Sequence, residues 1–212
     1  MATVMGCKME RDTMELILIS GFLGSGKTTM LLSTVDQIIA MTKKRVVIIK
    51  NDFGNVGIDA KVMEKSGLEV RELPSGCICC TLGIDFLKTL TAVATEFHPD
   101  IVFVEPSGLA DPASIIALMK RYEGPKVDRI RVMIIVDAVR FNLISRAMPA
   151  PMERQLRIGD VIVINKIDEA TKEQIQEVET AVRNMGLDKQ MIMASALQRE
   201  NVDSVARAMV AS

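Results

Sequence analysis

The chain has 212 residues, with 26 lysines and arginines against 27 aspartates and glutamates, a net charge of −1 and 49% apolar residues. That length suits a single domain with a real core, and the composition excludes a disordered chain. Near-zero charge excludes a generic nucleic-acid or anionic-membrane binder, and no apolar run approaches the roughly 20 residues of a bilayer span.

Met1–Met14 carries Lys8, Glu10, Arg11 and Asp12 where a leader peptide needs an apolar stretch. It is read as a mobile tail on a cytoplasmic protein, followed by one domain over 15–212. From there, short β-branched runs alternate with amphipathic segments, the pattern of an α/β three-layer fold with a mostly parallel sheet and helices on both faces. The first predicted strand, Glu15–Ile19, runs into Gly21-Phe22-Leu23-Gly24-Ser25-Gly26-Lys27-Thr28-Thr29 ahead of a predicted helix over 27–41. Two glycines five apart, followed by lysine and a hydroxyl residue, form a phosphate-binding loop. Backbone N–H groups of Gly24, Ser25, Gly26, Lys27, Thr28 and Thr29 must turn inward on a phosphate, and Cβ atoms would obstruct that wrap. Lys27 would bridge the β- and γ-phosphates, and Thr28 would offer its hydroxyl to Mg²⁺.

The second strand, 45–50, leads into Asn51–Asp59. Its two carboxylates and two glycines suit a switch closing on γ-phosphate and metal, with Asp52 as a catalytic candidate. After a strand at 69–73 comes Cys77-Ile78-Cys79-Cys80, three of the four cysteines, at the start of a predicted helix running to Phe97. Thiolates favour Zn²⁺ and other late transition metals, and a helix N-terminus promotes their deprotonation. Buried thiols, or a redox pair of Cys77 with Cys80, are competing readings. His98 reads as a surface residue, Cys7 has no partner in the tail, and the 15 methionines scatter through helical faces as core filler.

The strand at 101–105 ends in Glu105, which would hold Mg²⁺ directly or through water, and Gly108 just beyond would approach the γ-phosphate through its backbone. Asp111-Pro112 then starts a predicted helix to Arg121. A strand at 130–136, a helix at 138–146 and a loop around Met148–Met152 precede the strand at 160–164. That strand ends in Asn165-Lys166-Ile167-Asp168. A carboxylate at Asp168 accepts both the ring N–H and the exocyclic amine of guanine, a donor pair adenine lacks. Asn165 would brace the loop and contact the base, and Lys166 would lay its stem over the ring. A helix at 171–185 and a strand at 191–194 follow. Ser195-Ala196 would then offer a backbone N–H to the guanine oxygen, ahead of a final helix at 202–209.

In this order, GFLGSGKTT, NDFGNVGID, ELPSGCICC, VEPSGLADP and RQLRIGDVIVINKID resemble the CobW-type GTPases, relatives of the nickel-insertion GTPases of urease and hydrogenase maturation. The resemblance implies a metallochaperone that binds GTP and GDP, hydrolyses GTP with Mg²⁺, and carries a metal, Zn²⁺ or cobalt-related, on Cys77, Cys79 and Cys80. It implies a client metalloprotein and a nucleotide- or metal-dependent homodimer. An alternative is a GTP-dependent activator of a corrinoid or other metalloenzyme that carries no metal itself. An ATP-dependent kinase is opposed by Asn165–Asp168, and a thiol oxidoreductase would leave the phosphate loop without a role. Family members usually continue into a C-terminal domain, often after a His-rich stretch. Ser212 and a single histidine set the expectation that this chain lacks it. The switch usually reads Asn-Glu-Phe-Gly-Glu; with Asp52 and Asn55 here, a metal site there is expected to be weaker.

Overall fold

The computed structural model describes residues 13–50, 68–72, 82–108 and 110–211. Seven parallel strands form its centre: β1 (Thr13–Ser20), β2 (Val46–Lys50), β3 (Leu68–Glu72), β4 (Ile101–Glu105), β5 (Lys126–Asp137), β6 (Val161–Asn165) and β7 (Gln190–Ala194). Their order is β3-β2-β4-β1-β5-β6-β7. The described helices are α1 (Lys27–Thr42), α2 (Leu82–Phe97), α3 (Pro112–Met119), α4 (Phe141–Ala147), α5 (Pro149–Ile158), α6 (Lys172–Asn184) and α7 (Val202–Val210). None of them is long and apolar enough to cross a membrane.

Strand periodicity divides the core into two layers. Leu16 and Leu18 of β1 join Val102, Val104, Ile134 and Ile162 beneath α2 to α6. Ile17 and Ile19 point the other way, with Ile48, Phe103, Ile135 and Val163, beneath α1 and α7. Both faces of the central strands are therefore covered, which is why those strands read as unbroken apolar runs rather than alternating ones.

All seven strands fall where the sequence places them, with two corrections at their margins and a third between them. β1 starts at Thr13 rather than Glu15, so Thr13 and Met14 belong to the sheet; Met14 is 2% exposed in the core. β5 starts at Lys126 rather than Ile130, because Thr13–Glu15 pair with Lys126–Arg129 across a register shift. The polar side chains of that extension concealed it. The segment around Met148–Met152, expected as a loop, contributes to α5 instead. Pro149 opens that helix, where its missing N–H costs nothing, and Met152, Gln155 and Leu156 bury one face at helical spacing.

Candidate functional site

Parallel strands joined by crossover helices all end on one edge of the sheet, so the loops after β1, β4, β6 and β7 gather there. β1 is flanked by β4 on one side and β5 on the other, and the crevice opens at that switch in strand order. A cleft of about 470 Å³ is lined there by Gly24, Gly26, Lys27, Thr28 and Thr29, by Glu105 and Gly108, by Asn165, Lys166 and Asp168, and by Ser195 and Ala196. Residues up to 174 positions apart in the chain, Leu23 and Leu197, thus share one cavity. Leu23, Pro106, Ser107, Glu169 and Leu197 complete its wall.

The loop after β1 is shaped by glycine. Gly21 has φ 144, and a Cβ there would collide with the Ile135 carbonyl oxygen of β5. Gly26, at φ 94, sits against the Asn165 side chain with no room for a methyl. Lys27 is 7% exposed, and its Nζ donates to the Phe22 carbonyl oxygen at 3.3 Å, across the mouth of the loop. Ser25 lies beneath the cleft rather than on its lining, 1% exposed. Thr28 Oγ1 donates to Glu105 Oε1 at 2.5 Å. A hydroxyl and a carboxylate side by side at the phosphate end are hard oxygen donors of the kind Mg²⁺ takes. Gly108 lies against the phosphate loop: a Cβ there would come within 2.5 Å of the Leu23 nitrogen.

The opposite end is organised by Asn165. Its Nδ2 donates to the Ser25 carbonyl oxygen at 2.8 Å, and its Oδ1 accepts from the Ala196 N–H at 3.0 Å. One buried amide therefore ties the glycine-rich loop after β1 to the loops after β6 and β7. Lys166, at a left-handed φ of 66, turns the chain so that Asp168 faces the cleft. Beside it, Lys166 Nζ pairs with Asp137 Oδ2 at 2.8 Å. Arg140 Nε donates to the same oxygen at 2.7 Å, and its Nη2 reaches the Leu23 carbonyl oxygen at 2.9 Å. Burial pushes the Asp137 carboxyl up, but the hydrogen bonds from Lys166 and Arg140 outweigh it and hold the group below its ordinary range. The sequence reading missed Asp137 and Arg140. Their only local signal is an aspartate ending a strand with an arginine three residues on.

Asp52, Cys77, Cys79 and Cys80 lie outside the described residues. Among the described residues, no three His, Cys, Asp or Glu side chains converge as a metal site.

A parallel sheet, a glycine-rich loop opening a helix and a carboxylate loop across the same cleft define a P-loop nucleotide-binding protein. The chain belongs to the CobW/HypB/UreG nucleotide-binding domain family, which it matches over residues 15–193. It is 35% identical over 177 residues to a zinc chaperone, YeiR, of Escherichia coli K12, covering 82% of this chain and 53% of that protein. It is 23% identical over 222 residues to the zinc-regulated GTPase metalloprotein activator 1 of Dictyostelium discoideum, covering 87% and 46%. The chain thus spans about half the length of the curated relatives it matches. Among solved structures, the hydrogenase maturation factor HypB of Archaeoglobus fulgidus shares the fold, with a TM-score of 0.62 at 14% identity over 92% of this chain and 88% of that one.

Proposed function

We propose that this domain binds and slowly hydrolyses GTP, and that its nucleotide state governs the loading or release of zinc carried for a client metalloprotein. The observation that supports the reading is the Asn165 bridge, which brings the Asn165–Asp168 loop and the glycine-rich loop after β1 onto one cleft. Asp168 accepts the two N–H groups of guanine, and the Lys166 stem covers one face of the ring. The amides of Gly24 to Thr29 and the Lys27 ammonium hold the phosphates. Hydrolysis needs no covalent intermediate: water attacks the γ-phosphorus, and the bond to the β–γ bridging oxygen breaks. As charge grows on that oxygen, Lys27 and the loop amides neutralise it. Thr28 and Glu105 would hold Mg²⁺, which would supply further charge neutralisation.

The zinc half rests on Cys77, Cys79 and Cys80 as thiolate ligands and on the name of the Escherichia coli relative. Zinc here is cargo. Three thiolates leave a coordination position for a client, water or another side chain. Reduced thiolates of this kind belong to the cytoplasm, and a second copy of the chain could supply the remaining ligand or complete the hydrolytic site. The name of the Dictyostelium relative supports a second reading, a GTP-dependent activator of a metalloprotein with no metal carried.

One set of measurements separates these readings. Purified protein is titrated with GTP and ATP, assayed for phosphate release with Mg²⁺, and titrated with Zn²⁺ in the GDP and non-hydrolysable GTP states. A carrier shows zinc affinity that differs several-fold between those states, a coupling of roughly 1–3 kcal/mol, and loses zinc on Cys79→Ser. Equal zinc affinity in both states, with GTP hydrolysis intact, favours the activator.

A further inference from the structure

The nucleotide site as described leaves the purpose of one buried charge open. Asp137 ends β5 and is 2% exposed. Its Oδ1 accepts the backbone N–H groups of Val139 and Arg140, at 3.0 and 3.1 Å. Its Oδ2 accepts Arg140 Nε at 2.7 Å and Lys166 Nζ at 2.8 Å. Four donors fill the acceptor capacity of a carboxylate. As a stability device this is a poor choice, since well-packed apolar residues commonly replace a buried ionic cluster without loss. What the cluster supplies is geometry.

Its two cations reach opposite halves of the cleft. Asp137 stands in register with Asn165 on β6, so the Lys166 ammonium comes to it from the adjoining loop. On the other side, Arg140 extends Nη2 to the Leu23 carbonyl oxygen of the phosphate loop at 2.9 Å. Gly24 makes that reach possible, because a Cβ there would stand 2.6 Å from the same Nη2. The general phosphate-loop pattern asks for glycine at positions 21 and 26 but not at 24. The left-handed φ of 74 and the passage of Arg140 both account for glycine at 24.

We propose that Asp137 is a positioning residue for nucleotide binding, holding Lys166 against the base site and, through Arg140, the Leu23–Gly24 peptide of the phosphate loop, so that both halves of the cleft keep one geometry before nucleotide arrives. This rests on the guanine-nucleotide reading of the cleft. A lysine stem has many rotamers, and Asp137 removes much of that freedom in advance. Lys166 also sits in backbone strain for a residue with a Cβ, which a tether helps to sustain. The carboxylate stays ionised at neutral pH, because the two cations outweigh its burial.

The test is a double-mutant cycle read as Kd for a fluorescent GDP analogue, with thermal midpoints recorded for every variant. Asp137→Asn should raise Kd for GDP and GTP alike by about tenfold. In a Lys166→Met background, the same change should cost less than about threefold, because only the Arg140 arm remains to be lost. An undiminished tenfold cost in that background, or a parental Kd in Asp137→Asn, overturns the proposal. Should Asp137→Asn not fold, Arg140→Ala carries the test, since that side chain is 42% exposed. It should raise Kd by about threefold, and an unchanged Kd overturns the proposal. A parent protein that binds no guanine nucleotide overturns the reading of the cleft itself, and is told apart from the other outcomes by the parental titration alone.

Discussion

Asn165 and Ser25 are separated by 140 positions in the chain, yet the Asn165 side-chain amide donates to the Ser25 carbonyl oxygen at 2.8 Å. The bond is fully buried, and the other end of the same amide accepts from the Ala196 N–H at 3.0 Å. Three loops from three strand ends are held in fixed relation by one side chain.

Asn165→Ala is therefore expected to act on both stability and binding. It leaves the Ser25 carbonyl and the Ala196 N–H buried without this partner, at roughly 1–3 kcal/mol each. Thermal unfolding should show a lowered midpoint, and stopped-flow release of a fluorescent GDP analogue should quicken by at least about tenfold. Unchanged GDP release in a folded variant would show that the bridge is not needed to shape the cleft.

Asp168 tests the identity of the base. It is exposed in the cleft, where its carboxylate is open to ligand. GTP should bind at least about a hundredfold more tightly than ATP, since two charge-assisted hydrogen bonds are at stake. Asp168→Asn should move the preference toward xanthosine triphosphate, which presents a carbonyl where guanine has its amine. Competition titrations decide it, and equal affinity for GTP and ATP in the parent would defeat the assignment.

At the phosphate end, Lys27→Ala should abolish phosphate release and weaken nucleotide binding. Thr28→Ala and Glu105→Gln should raise the Mg²⁺ concentration needed for half-maximal hydrolysis, with a smaller effect on GDP affinity. Phosphate release measured across a Mg²⁺ series separates the two effects. Activity at the parental rate in Lys27→Ala would assign the hydrolysis to another site.

Asp137 makes a prediction about acid stability. Its carboxyl is held below the ordinary value of 3.8 in the folded protein. A depressed pKa contributes stability that is fully present above the unfolded value and is lost as pH falls through the folded one. Denaturant unfolding should thus show a stability loss between about pH 4 and lower pH that is smaller in Asp137→Asn. Parallel curves for the two proteins over that range would show that Asp137 contributes nothing to acid sensitivity.

That residues of these loops share a cleft was legible in local patterns: a glycine turn before Lys27 and Thr28, and Asn165 followed by Lys166 and Asp168, each sit at a strand end. α5 was not legible, since Pro149 and Pro151 read as breakers unless the first turn of a helix is known to contain them. The first residues of β5 were hidden because Lys126, Asp128 and Arg129 look like loop. Asp137 and Arg140 were hidden for a different reason: their partners, Lys166 and Leu23, are distant in the chain.

By itself, then, the sequence determined the alternation of strands and helices, the apolar faces of the central strands and the side-chain chemistry each strand-end loop carries. These follow from periodicity and side-chain chemistry, which act over one or two turns of chain. Only the tertiary structure decided the order β3-β2-β4-β1-β5-β6-β7. That order seats β1 between the strands ending in Glu105 and Asp137, with the strand ending in Asn165 one place further on. No local pattern encodes which strands become neighbours, since that depends on how all the helices pack on both faces of the sheet. The meeting of Lys166 and Arg140 on one carboxylate is a consequence of that packing.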